Sequence, residues 1–94
     1  MSDHRPPYLQ KAIDQGGEEL GQALKTARKR RGITLVEMAA KIGVTRRTLT
    51  RLEKGDTAVN LAVLLACLTV YGLLNQLTAS VLPNKDPQGQ KKID

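Results

Sequence analysis

Large aromatic side chains are nearly absent from this sequence, which has two tyrosines and neither phenylalanine nor tryptophan. Any core must therefore be aliphatic and built from Leu, Ile, Val and Ala. The chain has 94 residues, enough for one small domain with a single thin core.

Cysteine and histidine are equally scarce, with one of each. Cys67 has no partner for a disulfide, which fits a reducing compartment, and its apolar surroundings predict a buried, inert thiol. His4 is the single histidine. The sequence shows no metal-ligand cluster, glycine-rich phosphate loop or nucleophile–base pair. We therefore expect no enzymatic activity, no metal and no cofactor.

Long apolar segments are missing as well. The longest such stretch, residues 61–74, is too short to span a bilayer. The N-terminal residues are polar and lack the pattern of a signal peptide. These observations predict a cytoplasmic protein without a membrane partner.

Negative charge is the other scarce property: 15 Lys and Arg stand against nine Asp and Glu, a formal net charge of +6. A net charge of this size suits a polyanionic partner, but it is also compatible with a basic surface that only keeps the protein soluble. The imbalance is concentrated between residues 25 and 54, where Glu37 and Glu53 are the only acids. The cations of this segment are Lys25, Arg28, Lys29, Arg30, Arg31, Lys41, Arg46, Arg47, Arg51 and Lys54.

Residues 34–55 predict two short helices joined by a tight turn. Thr34 and Glu37 have the spacing of a capping box at the start of the first helix. Gly43 suits the left-handed residue that ends it, and Thr45 suits the cap of the second helix.

The outer side of this second helix is basic. Leu49 and Leu52 define its buried direction, and helical periodicity turns the cations away from them. Arginine forms hydrogen bonds with phosphate groups and with the edges of guanine bases in the major groove. We therefore predict base contacts from Arg46, Arg47 and Arg51, and phosphate contacts from Thr34, Thr45, Thr50 and Lys54.

This segment resembles the helix-turn-helix of the Xre and phage-repressor family. The similarity covers residues 17–82, and its matching residues are Ala39, Gly43, Val44, Leu49 and the closing Leu52-Glu53-Lys54-Gly55. The resemblance implies an all-α, compact five-helix bundle of the lambda-repressor-like type and a sequence-specific DNA-binding regulator. It also places the three predicted arginines at the base-contact positions of the resembling repressors.

The resemblance assigns a role to two further residues. An arginine late in the first helix of the family pairs with the glutamate that closes the recognition helix, and Arg28 and Glu53 occupy these positions. The pair would either orient a phosphate-contacting arginine or lock the two helices together. Leu35 departs from the family, which commonly has a phosphate-gripping glutamine there.

An N-terminal arm over residues 1–16 is expected to precede the domain. Pro7 can start a short helix in this arm, and Gly16-Gly17 is expected to break it. The first core helix is then predicted over residues 18–31.

The C-terminal part of the domain is predicted to hold two more helices. Asn60 suits the cap of a helix over residues 61–71, and a last helix is expected over residues 73–82, before Pro83. The domain therefore runs over residues 17–82, and residues 83–94 read as a polar tail.

The fourth helix is apolar on almost every side. One stripe, Leu61, Leu64, Leu65 and Leu68, suffices to close the core. A helix that is apolar all round must be buried all round. A second copy across a two-fold axis is the simplest cover for the other stripe, and a fifth helix folded back with the arm is the alternative. The predicted homodimer interface is Val63, Cys67, Val70, Leu74, Leu77 and Val81.

These patterns predict a dimeric repressor of its own or a neighbouring operon, acting at the nucleoid on a palindromic operator with half-sites about 34 Å apart. Single-domain proteins of the family with an apolar fourth helix resemble HipB-like antitoxins, which implies a HipA-like kinase toxin as a further partner. The alternative is a protein-interaction module that keeps the fold but binds a partner protein instead of DNA. Such a module is expected to lose the exposed cations of the third helix, and this sequence keeps them.

Overall fold

The helices follow one another through short turns. A computed structural model describes residues 4–82, which form five helices and no strand. The helices are α1 (Pro7–Arg30), α2 (Leu35–Ile42), α3 (Arg46–Glu53), α4 (Leu61–Val70) and α5 (Leu74–Ser80). The predicted all-α, five-helix fold is confirmed. The predicted tail lies outside the described residues.

Local capping fixes the helix-turn-helix. The Thr34 hydroxyl accepts the Glu37 N–H at 3.1 Å, and the Glu37 carboxylate accepts the Thr34 N–H at 2.8 Å. The hydrogen bond from the Thr34 backbone N–H, followed by one from the Thr34 side chain, lowers the pKa of the Glu37 carboxyl below its ordinary value. Gly43 ends α2 with a φ of 74°, and Thr45 caps α3 by accepting the Thr48 N–H at 3.1 Å. The predicted capping box, turn and second cap are confirmed.

The prediction of a break at Gly16-Gly17 is wrong. One helix of 24 residues runs through both glycines, so residues 7–16 are the first turns of α1. A Cβ added at Gly21 would lie 2.7 Å from the Glu53 carbonyl oxygen, and one at Gly17 would lie 2.7 Å from the Gly55 carbonyl oxygen. The glycines therefore allow α1 to touch the backbone at the end of α3. The division into an arm and a domain at residue 16 stays a prediction.

The core is mostly aliphatic, but the prediction that it has no aromatic member is wrong, because Tyr71 is 4% exposed and belongs to it. Its centre is formed by three residues with no exposed surface: Met38, Leu49 and Cys67. Leu24 and Ala27 of α1 pack on this centre. Burial raises the pKa of the Cys67 thiol to about 11, so the neutral thiol is the stable form. The prediction of a buried, inert cysteine is thereby supported.

The predicted orientation of α4 is wrong in part: Leu64 and Leu68 pack in the core as expected, but Leu61 and Leu65 do not. Cys67 is fully buried and has no surface for a partner protein, whereas Leu61 is 64% exposed and Leu65 is 38% exposed. Val63 and Val70 are only partly buried, but they too pack on the core. Because α4 is apolar on nearly every side, its sequence contains no polar face from which the inward direction can be read.

The region from α4 to α5 carries the most apolar sequence of the described chain. No single helix within residues 4–82 has the length and apolarity to span a membrane, although α4 and α5 together, bent by 117°, meet the same criterion as a pair.

The close contact between α1 and α3 predicts opposite effects for two glycine substitutions. Gly21→Ala should lower the free energy of unfolding by about 1–3 kcal/mol, because its methyl group overlaps the α3 carbonyls. Gly16→Ala, where nothing lies within 4 Å of the added Cβ, should raise it by about 0.5–1 kcal/mol. Urea unfolding followed by far-UV circular dichroism measures both. Equal stabilities for the two variants would contradict this packing.

Candidate nucleic-acid interface

The outer side of α3 presents the predicted cations to solvent. Leu49 and Leu52 are buried, and Arg46, Arg47 and Arg51 are exposed. The division between an apolar inner side and a basic outer side therefore follows the helical periodicity of the sequence.

The first turn of α3 carries positive charge, which is unusual at a helix N-terminus. A helix N-terminus bears a partial positive charge and favours acidic side chains, but Arg46 and Arg47 begin α3, and its first turn contains no acid. Two cations at the positive end of a helix repel its dipole. This arrangement suits a site that receives an anion, because the unpaired backbone N–H groups and the two guanidinium groups then act together.

The threonines predicted to contact phosphate have different environments. The Thr34 hydroxyl oxygen accepts the Glu37 N–H, and the Thr34 side chain also forms a hydrogen bond with the Glu37 carboxylate. The Thr45 hydroxyl lies 2.9 Å from the Thr48 hydroxyl, so one of these two groups donates a hydrogen bond to the other. Thr50 is partly buried and lines a cleft.

This cleft of about 550 Å³ lies between α1 and the end of α3, beside the contact of the two helices. Lys25 of α1 and Lys54, the residue that follows α3, line it together with Thr50 and Leu35. The structure thus puts two lysines beside the leucine that departs from the resembling family. Lys25 was not among the predicted phosphate contacts. No spacing in the sequence identified Lys25, because the cleft is formed by the packing of α1 against the end of α3.

Arg28 and Glu53 form a bidentate ion pair inside the protein. The distances are 2.7 Å from Arg28 Nε to Glu53 Oε2 and 3.0 Å from Arg28 Nη2 to Glu53 Oε1, and both residues are buried. Arg28 Nη1 also donates to the Ile33 carbonyl at 3.0 Å. The hydrogen bond that Arg28 donates to the Glu53 carboxylate raises the pKa of the Arg28 guanidinium. The guanidinium therefore ties α1 to α3 and to the turn before α2.

A second ion pair lies at the end of α3. Arg51 Nε donates to Asp56 Oδ2 at 2.7 Å, and Asp56 Oδ1 accepts the Ala58 N–H at 2.9 Å. The hydrogen bond from Arg51, with a smaller effect of the Ala58 amide, lowers the pKa of Asp56. Both side chains stay partly exposed. Asp56 was missed in the sequence, because it follows Gly55 in a loop and has no helical spacing to Arg51.

Loss of one partner of the buried pair should affect stability strongly. Glu53→Ala should lower the free energy of unfolding by about 3 kcal/mol, because the Arg28 guanidinium remains buried without its counter-charge. The double variant Arg28→Met/Glu53→Leu should recover most of this loss, since no charge is then buried. Urea titration compares the three proteins. If Glu53→Ala were as stable as the unchanged protein, the pair would contribute nothing to the fold.

Comparison with known proteins identifies relatives of this region. Residues 19–81 match the family described as the helix-turn-helix domain. A candidate HTH-type transcriptional regulatory protein of Pyrococcus abyssi is 43% identical over 74 residues, which are 76% of this chain and 23% of the relative. A similarly named protein of Pyrococcus horikoshii is 37% identical over 74 residues, again 76% of this chain and 23% of the relative. This chain thus spans about a quarter of the length of these relatives. No solved structure matches it significantly.

Proposed function

Because the chain belongs to the helix-turn-helix domain family, we propose that it is a sequence-specific regulator that binds double-stranded DNA as a dimeric repressor of its own or a neighbouring operon. The observation that carries this proposal is the first turn of α3, where Arg46 and Arg47 stand exposed at a helix N-terminus without an acid. The names of the two Pyrococcus relatives support regulation of transcription.

The proposed binding mode places α3 in the major groove. Arg46, Arg47 and Arg51 contact base edges, where a guanidinium matches the N7 and O6 acceptors of guanine. Phosphate groups on either side are held by Thr34, Thr45, Thr50 and Lys54, and by Lys25 of the cleft. These contacts position the protein on the duplex without reading its sequence.

Removal of the three arginines should abolish sequence-specific binding. The target is first selected with the unchanged protein from a random duplex library, and the dissociation constants for this target and for unrelated DNA are then measured. Each bidentate base contact provides about 1–3 kcal/mol of discrimination, so Arg46→Ala/Arg47→Ala/Arg51→Ala should bind both DNAs with equal, low affinity. The fold should persist, because all three side chains are exposed.

A matched control is Arg30→Ala, which removes one exposed cation from a cleft beside Leu73, the residue before α5. It should weaken binding to all DNA slightly and leave discrimination intact, whereas Arg47→Ala should reduce discrimination. A triple variant that still prefers the selected target would overturn the base-contact assignment. Failure of the unchanged protein to select any sequence would favour the alternative, a protein-interaction module.

In the proposed dimer, the two copies contact each other through apolar side chains of α4, α5 and residues 81–82. Of the six predicted interface residues, Cys67 is excluded by its burial, while Leu77 and Val81 are exposed. Other large exposed apolar side chains in this part are Leu61, Leu65 and Leu82. Fully burying a side chain of this kind contributes about 1.5–3 kcal/mol, which favours a second copy as cover. A HipA-like kinase partner stays a prediction.

A charge on α5 should separate the two copies. Leu77→Asp should give monomers in light scattering at micromolar concentration and a large loss of affinity for a two-half-site target, because an ionised carboxylate resists burial in an apolar interface. Leu9→Asp is the control, since Leu9 of α1 is also exposed and apolar but is not among the predicted interface residues. An unchanged protein that is monomeric under these conditions would disprove the dimer.

A further inference from the structure

We propose that Asp56 is a positioning residue that fixes the Arg51 guanidinium for base recognition and so helps to determine sequence specificity. The inference rests on the proposed DNA-binding function, in which Arg51 is a base-contacting residue. Asp56 lies outside α3 and was not among the predicted site residues. Its role as a positioning residue explains why a carboxylate lies beside a basic surface.

The loop holds the Asp56 carboxylate in place before any DNA arrives. Its Oδ1 accepts the Ala58 N–H at 2.9 Å, and the Asp56 N–H donates to the Arg51 carbonyl at 3.0 Å. The turn at Gly55, whose N–H donates to the Leu52 carbonyl at 3.0 Å, brings the loop back against α3. Since the carboxylate is anchored by backbone groups, the longer and more flexible arginine adapts to it.

The atoms used by this pair leave the base-reading edge of Arg51 available. Asp56 Oδ2 accepts the hydrogen bond from Arg51 Nε at 2.7 Å. The guanidinium has five N–H donors in a rigid plane, so the four on Nη1 and Nη2 remain for the N7 and O6 acceptors of a guanine. An unrestrained arginine must give up rotamer freedom when it binds, and a side chain oriented beforehand gives up less.

The same carboxylate should weaken binding to DNA in general. A negative charge close to the duplex repels phosphates of any sequence, and this electrostatic contribution does not depend on the bases. An exposed ion pair of this kind contributes little to folding stability. The expected signature of Asp56 is therefore unusual: its removal raises affinity for unrelated DNA, reduces discrimination between targets, and leaves the melting temperature nearly unchanged.

The substitution that tests this role is Asp56→Asn. The amide oxygen can still accept the Ala58 N–H, but its NH₂ group faces Arg51 Nε and cannot accept a hydrogen bond from it. The control is Asp14→Asn, which removes one negative charge from the cleft that Asp14, Arg51 and Asp56 line together. Both variants raise the net charge by one, so a purely electrostatic role predicts the same result for the two.

The experiment compares binding to the target selected by the unchanged protein with binding to the same duplex altered at one guanine. Titrations use the unchanged protein, Asp56→Asn, Asp14→Asn, Arg51→Ala and the double variant Arg51→Ala/Asp56→Asn. Asp56→Asn should reduce the ratio of the two affinities at the base pair read by Arg51 by at least about fivefold, the lower end of what a bidentate contact provides. Asp14→Asn should leave this ratio unchanged, and Asp56→Asn should have no further effect on it once Arg51 is alanine.

Two results would overturn the proposal: an unchanged ratio for Asp56→Asn, or a reduction that persists in the Arg51→Ala background. Thermal melting of each variant shows that the proteins compared are folded. Failure of the unchanged protein to select any target would instead refute the DNA-binding function itself, so the two failures are distinguishable.

Discussion

The contact between α1 and the end of α3 is the interaction on which the domain depends, and Glu53 takes part in it twice. Its carbonyl oxygen lies 2.7 Å from the position of a Cβ added at Gly21, and its carboxylate accepts hydrogen bonds from Arg28. The backbone contact at Gly21 and the ion pair of Arg28 therefore both connect α1 to Glu53. Because α3 also carries the exposed arginines, the angle at which these side chains leave the protein is set by a contact on the opposite side of the helix.

Features encoded by neighbouring residues could be predicted from the sequence. The capping box of Thr34 and Glu37 and the turn at Gly43 depend on spacings of a few residues, and periodicity separated Leu49 from the arginines of α3. The basic side of the candidate site followed from the same periodicity. These predictions required no knowledge of contacts between residues that are distant in the sequence.

Features that depend on distant parts of the chain could not be predicted in this way. A glycine pair in a helix and a glycine pair at a break have the same sequence, and only the approach of α3 distinguishes them for Gly17. The inward side of α4 is set by its packing partners, since its own residues show no polar face. Asp56 could not be assigned to Arg51, because their ion pair crosses the turn at Gly55.

The scarcity of aromatic residues has a consequence for spectroscopy. Tyr71 is 4% exposed, beneath the Arg31 guanidinium at 5.2 Å from its ring centre, whereas Tyr8 is 75% exposed on α1. Burial raises the pKa of Tyr71 to about 12, while a tyrosine in water ionises near 10. With no tryptophan in the sequence, ultraviolet absorption under alkaline conditions thus comes from two phenols in very different surroundings. Tyr71 serves as a built-in optical reporter of the core, and no label has to be introduced.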